Sequence, residues 1–178
     1  MDNSKNKNIV ILCSRLDLPG GIERAIVSTV NLFIEHNHTV SIIILDNTEE
    51  TFYPINKKIN IVQRHLSFGI TKDGNIISRK LRMLSDVLQL RKLLKKLKPN
   101  VVIATDYPFA VAAILTRIKK QTKVISWEHH HKYELNKNQF WTKLLNYTSP
   151  LLNAVVCLNE DEKELIHPLN KNAVVIPN

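Results

Sequence analysis

The chain has 178 residues, of which 44% are hydrophobic and 23% charged, and its formal net charge at pH 7 is +9. This length suits one α/β domain, and the composition excludes wholesale disorder, a coiled coil and a collagen-like chain. We expect a cytoplasmic protein, because no apolar stretch is long enough to span a bilayer and the N-terminus lacks the apolar core of a signal peptide. Its two cysteines, Cys13 and Cys157, lie in apolar runs that predict buried, inert thiols.

Short apolar runs alternate with helical patterns along the whole chain. Continuous apolar runs are typical of strands that are covered on both faces of a parallel sheet. They predict strands at residues 9–13, 39–45, 59–62, 101–104, 123–127, 154–158 and 173–176. Between them, the spacing of apolar residues predicts helices at 22–35, 79–97, 109–118, 138–146 and 160–166. The alternation predicts a doubly wound, mostly parallel, Rossmann-like α/β sheet with helices on both faces, and ligands that bind beyond the carboxyl ends of the strands.

The loop after the first predicted strand carries two glycines, Gly20 and Gly21, directly before a helix. Such glycines let the backbone approach a ligand closely, and a helix N-terminus offers unpaired N–H groups that suit a phosphate. A plain turn explains the same pair. The loop matches neither the dinucleotide fingerprint nor a Walker A sequence, so we interpret Asp46, after the second strand, as a loop acid or helix cap.

Titratable groups crowd the end of the fifth predicted strand, where Trp127 is followed by Glu128, His129, His130 and His131. A histidine at this edge can contact a substrate or move a proton near neutral pH. An exposed polar loop without a role explains the same residues. We do not expect a metal, because neighbouring residues of an extended segment point in opposite directions and converge poorly on one ion.

The helix predicted at 79–97 is strongly basic. Residues 79–98 contain eight Lys or Arg and one acid, Asp86, which gives 8 − 1 = +7 of the chain's +9. We expect it to pack on the sheet through Leu81, Leu84, Leu88 and Leu97. A basic amphipathic helix is typical of proteins that bind an anionic membrane surface, and an ordinary solvated face explains the pattern as well. The candidate membrane-facing cations are Arg91, Lys92, Lys95 and Lys96. No nucleic-acid recognition motif is present, so nucleic acid is not an expected partner.

Three features occur in an order known from one enzyme family. Gly20-Gly21-x-Glu23 opens the first helix, Ser126-Trp127-Glu128-His129 follows a middle strand, and Pro177-Asn178 follows the last strand. Over essentially the whole chain this resembles the N-terminal half of the retaining glycosyltransferase family 4, which has the GT-B fold of two facing Rossmann-like domains. The resemblance implies that residues 1–178 form a single acceptor-side domain and that the C-terminal domain, which binds the nucleotide sugar, is absent from this chain.

The resemblance also implies roles for individual residues. His129 matches the histidine that touches the transferred sugar and is the candidate catalytic residue. The loop that faces the donor diphosphate and the acceptor is matched by Gly20, Gly21 and Glu23. The candidate acceptor-binding residues are Asp106, Tyr107, Glu128 and His130.

By this resemblance, the parent enzyme transfers a hexose-type sugar from a nucleotide-sugar donor to a saccharide or lipid-linked acceptor, with retention. It would act in surface polysaccharide or glycolipid synthesis, peripherally at the inner face of the membrane. No cofactor and no metal are expected, and the chain alone would not turn over. Two alternatives stay open at this point: a Rossmann-like nucleotide-binding enzyme of the epimerase or dehydrogenase type, and a non-enzymatic basic module that binds a membrane surface.

Overall fold

The computed structural model of the chain describes residues 6–46, 50–68, 75–118, 122–129 and 139–177. The strands of this part are β1 (Asn8–Cys13), β2 (Thr39–Ile44), β3 (Asn60–Gln63), β4 (Val101–Ala104), β5 (Lys123–Trp127), β6 (Ala154–Cys157) and β7 (Ala173–Val175). Its α-helices are α1 (Gly21–Glu35), α2 (Ile76–Leu97), α3 (Tyr107–Leu115), α4 (Gln139–Thr148) and α5 (Glu160–Ile166). A short 3₁₀ helix at Ser149–Leu151, which the sequence did not predict, follows α4.

The seven strands form one sheet in the order β3-β2-β1-β4-β5-β6-β7, and each pair of neighbours is parallel. The chain starts at β1, builds outward to β3, and then returns through α2 to add β4 on the other side of β1. The prediction of a doubly wound parallel sheet is therefore confirmed. The reversal places the topological switch point between β1 and β4, which is the usual ligand position in such sheets.

The core has two halves because successive side chains of each strand point to opposite faces. In β1, Ile11 packs with Ile26 and Val30 of α1 on one face. Leu12 packs on the other face, against Leu90 of α2 and helix α3. Right-handed crossovers require this arrangement, since the chain moves in opposite directions across the sheet before and after the switch point. Helices thus cover both faces, as predicted.

Helix α2 packs on the sheet through a face that the sequence analysis did not choose. The side chains of Leu81, Leu84 and Leu88, which we expected in the core, are exposed by 63%, 58% and 49%. The sheet is contacted instead through Val87, Leu90 and Leu94, and of the four predicted leucines only Leu97 packs against this core cluster. The prediction was wrong because α2 carries apolar residues on two sides, and periodicity alone does not say which side faces the sheet.

Polar caps set several helix starts. Asn75 accepts a hydrogen bond from the backbone N–H of Ser78, so α2 begins three residues before the predicted start. Asp106 caps α3, and Pro108 suits its first turn. The predicted cap of α5 is confirmed, since Asn159 accepts from the backbone N–H of Glu162 at 2.9 Å. Both cysteines are buried thiols, as expected. In the part of the chain described above, no helix is long and apolar enough to cross a bilayer.

Candidate functional site

The carboxyl edge of the sheet holds a cavity at the topological switch point, between the loops after β1 and β4 and the start of α1, and neither Glu128 nor His129 is among its lining residues. Its volume is about 240 Å³. We call it the switch-point cavity, and it is lined by Cys13, Ser14, Arg15, Ile22, Glu23, Ile26, Thr105, Asp106 and Phe109. The backbone of Thr105 donates to Leu12 at 3.0 Å and its hydroxyl donates to the same carbonyl at 3.1 Å, which fixes the end of β4 against β1.

The two glycines of the first loop have different surroundings. Gly20 is the residue that precedes the first turn of α1, and the carboxylate of Glu23 folds back over it so closely that a Cβ on Gly20 would collide with Glu23. A Cβ on Gly21 would meet no atom within 4 Å. A side chain at Gly20 would thus displace the flexible end of Glu23, whereas nothing packs on Gly21.

Arg15 is a cavity residue that the sequence analysis missed. Its Nε and a terminal guanidinium nitrogen donate to the two carboxylate oxygens of Asp17 at 2.7 Å and 2.6 Å. This bidentate pair orients the guanidinium, and the hydrogen bonds with Asp17 are the main reason that the pKa of Arg15 is raised. The pattern Arg-x-Asp directly after a buried strand was the available signal, and it is a weak one.

The loop after β4 separates two predicted acceptor-binding residues. Asp106 is half-buried, lines the switch-point cavity and accepts from the backbone N–H of Tyr107 at 2.7 Å. Tyr107 is 2% exposed and packs with Val111 and Leu145, and its hydroxyl lies 3.5 Å from the Oγ1 of Thr148. Burial raises the pKa of the Tyr107 phenol. The structure therefore places Asp106 at the cavity and Tyr107 in the interior.

Glu128 is a buried acid at the carboxyl end of β5. It accepts a hydrogen bond from the hydroxyl of Ser126, and its backbone N–H donates to Val156 at 2.9 Å. Burial raises the pKa of Glu128 to about 8, and the negative charges of Asp106 and Glu162 act in the same direction. At neutral pH the side chain is thus mainly protonated, a form that can donate a hydrogen bond.

His129 follows Glu128 and is half-buried. Its ring lies against the indole of Trp127, with ring centroids 4.7 Å apart and planes tilted by 46°. Trp127 is 8% exposed, and its Nε1 finds no hydrogen-bond partner in the described ranges. The indole therefore restricts the orientation of the imidazole. His130, the remaining predicted acceptor-binding residue, lies outside the described residues.

The switch-point cavity is acidic although the chain is basic. The carboxylates at the cavity or acting on its one cation, Arg15, are those of Asp17, Glu23, Asp46 and Asp106. Carboxylates accept hydrogen bonds from hydroxyl groups and repel phosphates, so this cavity suits a neutral, hydroxyl-rich ligand. Within the part of the chain that the structure covers, no group of three or more His, Cys, Asp or Glu is arranged to hold a metal ion.

The predicted membrane-facing cations lie on α2, away from the switch-point cavity. Lys92, Lys95 and Lys96 are exposed, and Arg91 is half-buried. A second cavity, of about 180 Å³, lies at the opposite, amino edge of the sheet. Its lining residues are Leu94, Lys95, Lys98, Pro99, Asn100, Ile118 and Thr122.

Comparison with known proteins identifies the family. The profile of Glycosyltransferase Family 4 matches residues 19–178, which include the first glycine loop, β4 with its cap and the Glu128–His129 pair. The chain belongs to this family. The resemblance noted from the sequence is thereby confirmed.

The individual relatives are distant. An uncharacterized glycosyltransferase of Haemophilus influenzae is 26% identical over 161 residues, which are 89% of this chain and 42% of that protein. Among solved structures, the lipopolysaccharide outer core galactosyltransferase WaaB in its apo form superposes with a TM-score of 0.67 at 20% identity, over 96% of this chain and 45% of WaaB. Anabaena HepE in complex with UDP-glucose superposes with a TM-score of 0.63 at 10% identity, over 97% of this chain and 44% of HepE. The chain thus spans less than half the length of these proteins.

Proposed function

We propose that this chain is the acceptor-side, N-terminal half of a retaining glycosyltransferase. The full enzyme transfers a hexose-type sugar from a nucleotide sugar to a saccharide or lipid-linked acceptor. The observation that carries the proposal is the family match over residues 19–178, which contains six of the nine residues that line the switch-point cavity. The complex of HepE with UDP-glucose supports a nucleotide sugar as the donor.

The charges at the switch-point cavity support the binding of acceptor and donor diphosphate mainly by different domains. The cavity contains Glu23 and Asp106, and the guanidinium of Arg15 is already paired with Asp17. Such a surface suits the hydroxyl groups of an acceptor, so we assign most contacts with the donor diphosphate to a second, C-terminal domain. The N-terminus of α1 at Gly21 adds backbone N–H groups to that side of the cleft.

His129 is the proposed catalytic residue, and it acts by contact with the sugar that is transferred. Trp127 restricts its ring, and the buried Glu128 fixes the backbone before it through the hydrogen bond with Val156. Catalysis of this kind depends on positioning and on stabilisation of the leaving group in a closed cleft. We assign no step to a metal ion or to a cofactor.

A kinetic comparison of variants tests this proposal. The full-length parent protein should release nucleoside diphosphate from a nucleotide sugar only when an acceptor is present, and the product should keep the anomeric configuration of the donor by NMR. His129→Ala should lower kcat by roughly 100-fold or more, since positioned side chains contribute on that scale. The matched control is His36→Ala, an exposed histidine at the end of α1, which should leave kcat unchanged.

Other outcomes would contradict the proposal. Transfer by the isolated 178 residues would exclude a role as half of an enzyme. Inversion at the anomeric carbon would exclude the retaining mechanism. Tight binding of a dinucleotide would favour the epimerase or dehydrogenase class, which neither the family match nor the sequence of the glycine loop favours.

We further propose that the enzyme acts in the cytoplasm, peripherally at the inner membrane surface, in surface polysaccharide or glycolipid synthesis. The likeness to a galactosyltransferase of the lipopolysaccharide outer core supports this setting. A non-enzymatic membrane module is not favoured by the comparisons, because its only support was the basic helix. Fractionation of cells that express the full-length protein tests the location, with release from the membrane fraction by high salt as the expected result.

A further inference from the structure

The exposed surface of α2 carries an apolar stripe that does not contribute to the core. Its four members are Ile77, Leu81, Leu84 and Leu88, which are 70%, 63%, 58% and 49% exposed. They are spaced by four, three and four residues, so they lie on one face of the helix. Leu90 and Leu94, which contact the sheet, lie on the opposite face. The helix therefore has two apolar faces, of which one is covered.

Cations continue the apolar stripe toward the C-terminus of α2. At 100° per residue, Arg91, Lys92 and Lys95 lie within about 60° of the direction of Ile77, the first residue of the stripe. The one acid of α2 is Asp86, which is 5% exposed and accepts from the backbone N–H groups of Ser67 and Phe68 at 3.1 Å and 2.9 Å. The outward surface of the helix thus carries the apolar stripe in its first half, flanked by Lys80, and cations in its second half.

The stripe lies at the same end of the sheet as the switch-point cavity. Strands β3 and β4 are both part of the parallel sheet, so α2, which connects them, runs from the carboxyl edge back to the amino edge. Leu94 accordingly lines the cavity at the amino edge, and Met83 packs beside Tyr107 at the start of α3. The apolar half of α2 is the half nearer to the proposed acceptor site.

We infer that the apolar stripe of α2 inserts into an anionic lipid bilayer while Arg91, Lys92 and Lys95 bind the lipid headgroups. An amphipathic helix that lies in the membrane interface combines an apolar face with cations in this way. Contact between the stripes of two chains would bring like charges together, and a nucleic acid would not bind an apolar stripe. The acceptor class that follows is a lipid-linked saccharide, and this last step rests on the proposed function.

Vesicle sedimentation of the 178-residue chain tests the inference. The chain should pellet with vesicles of phosphatidylcholine and phosphatidylglycerol, and much less with phosphatidylcholine alone. Leu84→Gln/Leu88→Gln should weaken binding to the anionic vesicles roughly tenfold or more, because two apolar side chains no longer enter the bilayer. Lys92→Gln/Lys95→Gln should weaken it by roughly tenfold at low salt and remove most of its salt dependence. Each variant should keep the helical circular dichroism of the wild type.

Matched controls distinguish binding through this surface from nonspecific hydrophobic or electrostatic binding. Leu32→Gln changes an exposed leucine of α1, which is 50% exposed, and Lys58→Gln/Lys171→Gln removes two exposed cations elsewhere. Both should bind vesicles like the wild type. In Leu84→Trp, brominated acyl chains should quench the added fluorescence, which reports insertion directly.

Three results would overturn the inference. The first is a wild-type chain that stays in the supernatant with anionic vesicles. The second is a Leu84→Gln/Leu88→Gln variant that binds vesicles as well as the wild type. The third is a wild-type dimer in light scattering that this double variant abolishes. The last result would make a second copy the occupant of the stripe. None of these assays measures sugar transfer, so their failure is distinct from failure of the proposed function.

Discussion

Glu128 gives the chain a pH-dependent stability that a single substitution should remove. Glu128 is 8% exposed, and the one hydrogen bond described for its side chain is accepted from the Ser126 hydroxyl. In Glu128→Gln the amide has nearly the same shape and its oxygen can accept the same bond. The substitution therefore removes the titration of the group with little change in packing.

The direction of the effect follows from the raised pKa of Glu128, which is about 8 in the folded chain against an ordinary value of 4.5. Between these values the unfolded chain has released the proton and the folded chain keeps it. Rising pH therefore favours the unfolded state, and the free energy of unfolding falls until about pH 8, where both states are ionised. At about 1.4 kcal/mol per pKa unit, the wild type should lose about 3 kcal/mol relative to Glu128→Gln between pH 5 and pH 8.

Urea unfolding of both chains from pH 5 to pH 9, followed by circular dichroism, measures this difference directly. The matched control is Glu164→Gln, a change of an exposed acid on α5, and its curve should run parallel to that of the wild type. Parallel curves for the wild type and Glu128→Gln would refute the reasoning, because they would mean that Glu128 ionises alike in both states. A wild type that gains stability relative to Glu128→Gln as the pH rises would show that nearby charges favour the ionised group.

Further predictions concern the glycine loop and the buried acid of α2. Gly21→Ala should stabilise the chain by up to about 1 kcal/mol in thermal unfolding, because alanine favours helix and its Cβ has space. If the same variant of the full-length enzyme has a lower kcat/KM, a ligand approaches the backbone at this position. Gly20→Ala should change stability by less than about 1 kcal/mol, since the flexible end of Glu23 can move, but should also lower kcat/KM. Asp86→Ala should cost about 2–4 kcal/mol in urea unfolding, because two backbone N–H groups lose their acceptor; a cost equal to that of Glu164→Ala would contradict this.

The strands were the most predictable part of the fold. A run such as Ile9–Cys13 is apolar at every position, and both faces of β1 are in fact covered, by α1 on one side and by α2 and α3 on the other. Each predicted strand end differs from the observed one by one residue at most. The doubly wound, mostly parallel sheet followed from the alternation of strands and helices, which leaves few topologies.

The orientation of α2 was not predictable from the sequence. Leu81, Leu84 and Leu88 form as regular an apolar pattern as Val87, Leu90 and Leu94, and periodicity does not rank two such patterns. The hydrogen bonds of Asp86 indicate which side of α2 faces inward. Its partners are backbone N–H groups of the preceding loop, so the apolar pattern of α2 does not reveal them. The buried apolar face of α2 and its exposed apolar stripe thus differ in their tertiary contacts and not in the local sequence pattern.

The sequence predicted the position of the candidate site better than it predicted which residues line it. Asp106 and Tyr107 are neighbours in sequence, but the helix cap turns one toward the cavity and the other into the interior. Arg15 belongs to the cavity because its pair with Asp17 holds it there, a contact that depends on the path of the loop. The depth at which Glu128 lies, and hence its raised pKa, likewise depends on packing around β5.

The distribution of charge constrains how this domain can meet an anionic membrane. The switch-point cavity is lined by Glu23 and Asp106, which are repelled by the surface to which Lys92 and Lys95 are attracted. Contact through the apolar stripe of α2 meets both requirements, because it lays the helix on the bilayer and leaves the switch-point cavity beside the surface, facing water. Screening limits these forces to about 8–10 Å at physiological salt, so the cavity has only to stand that far from the headgroups. An acceptor that reaches the cavity in this orientation must carry its sugars away from the bilayer, as the head of a lipid-linked saccharide does.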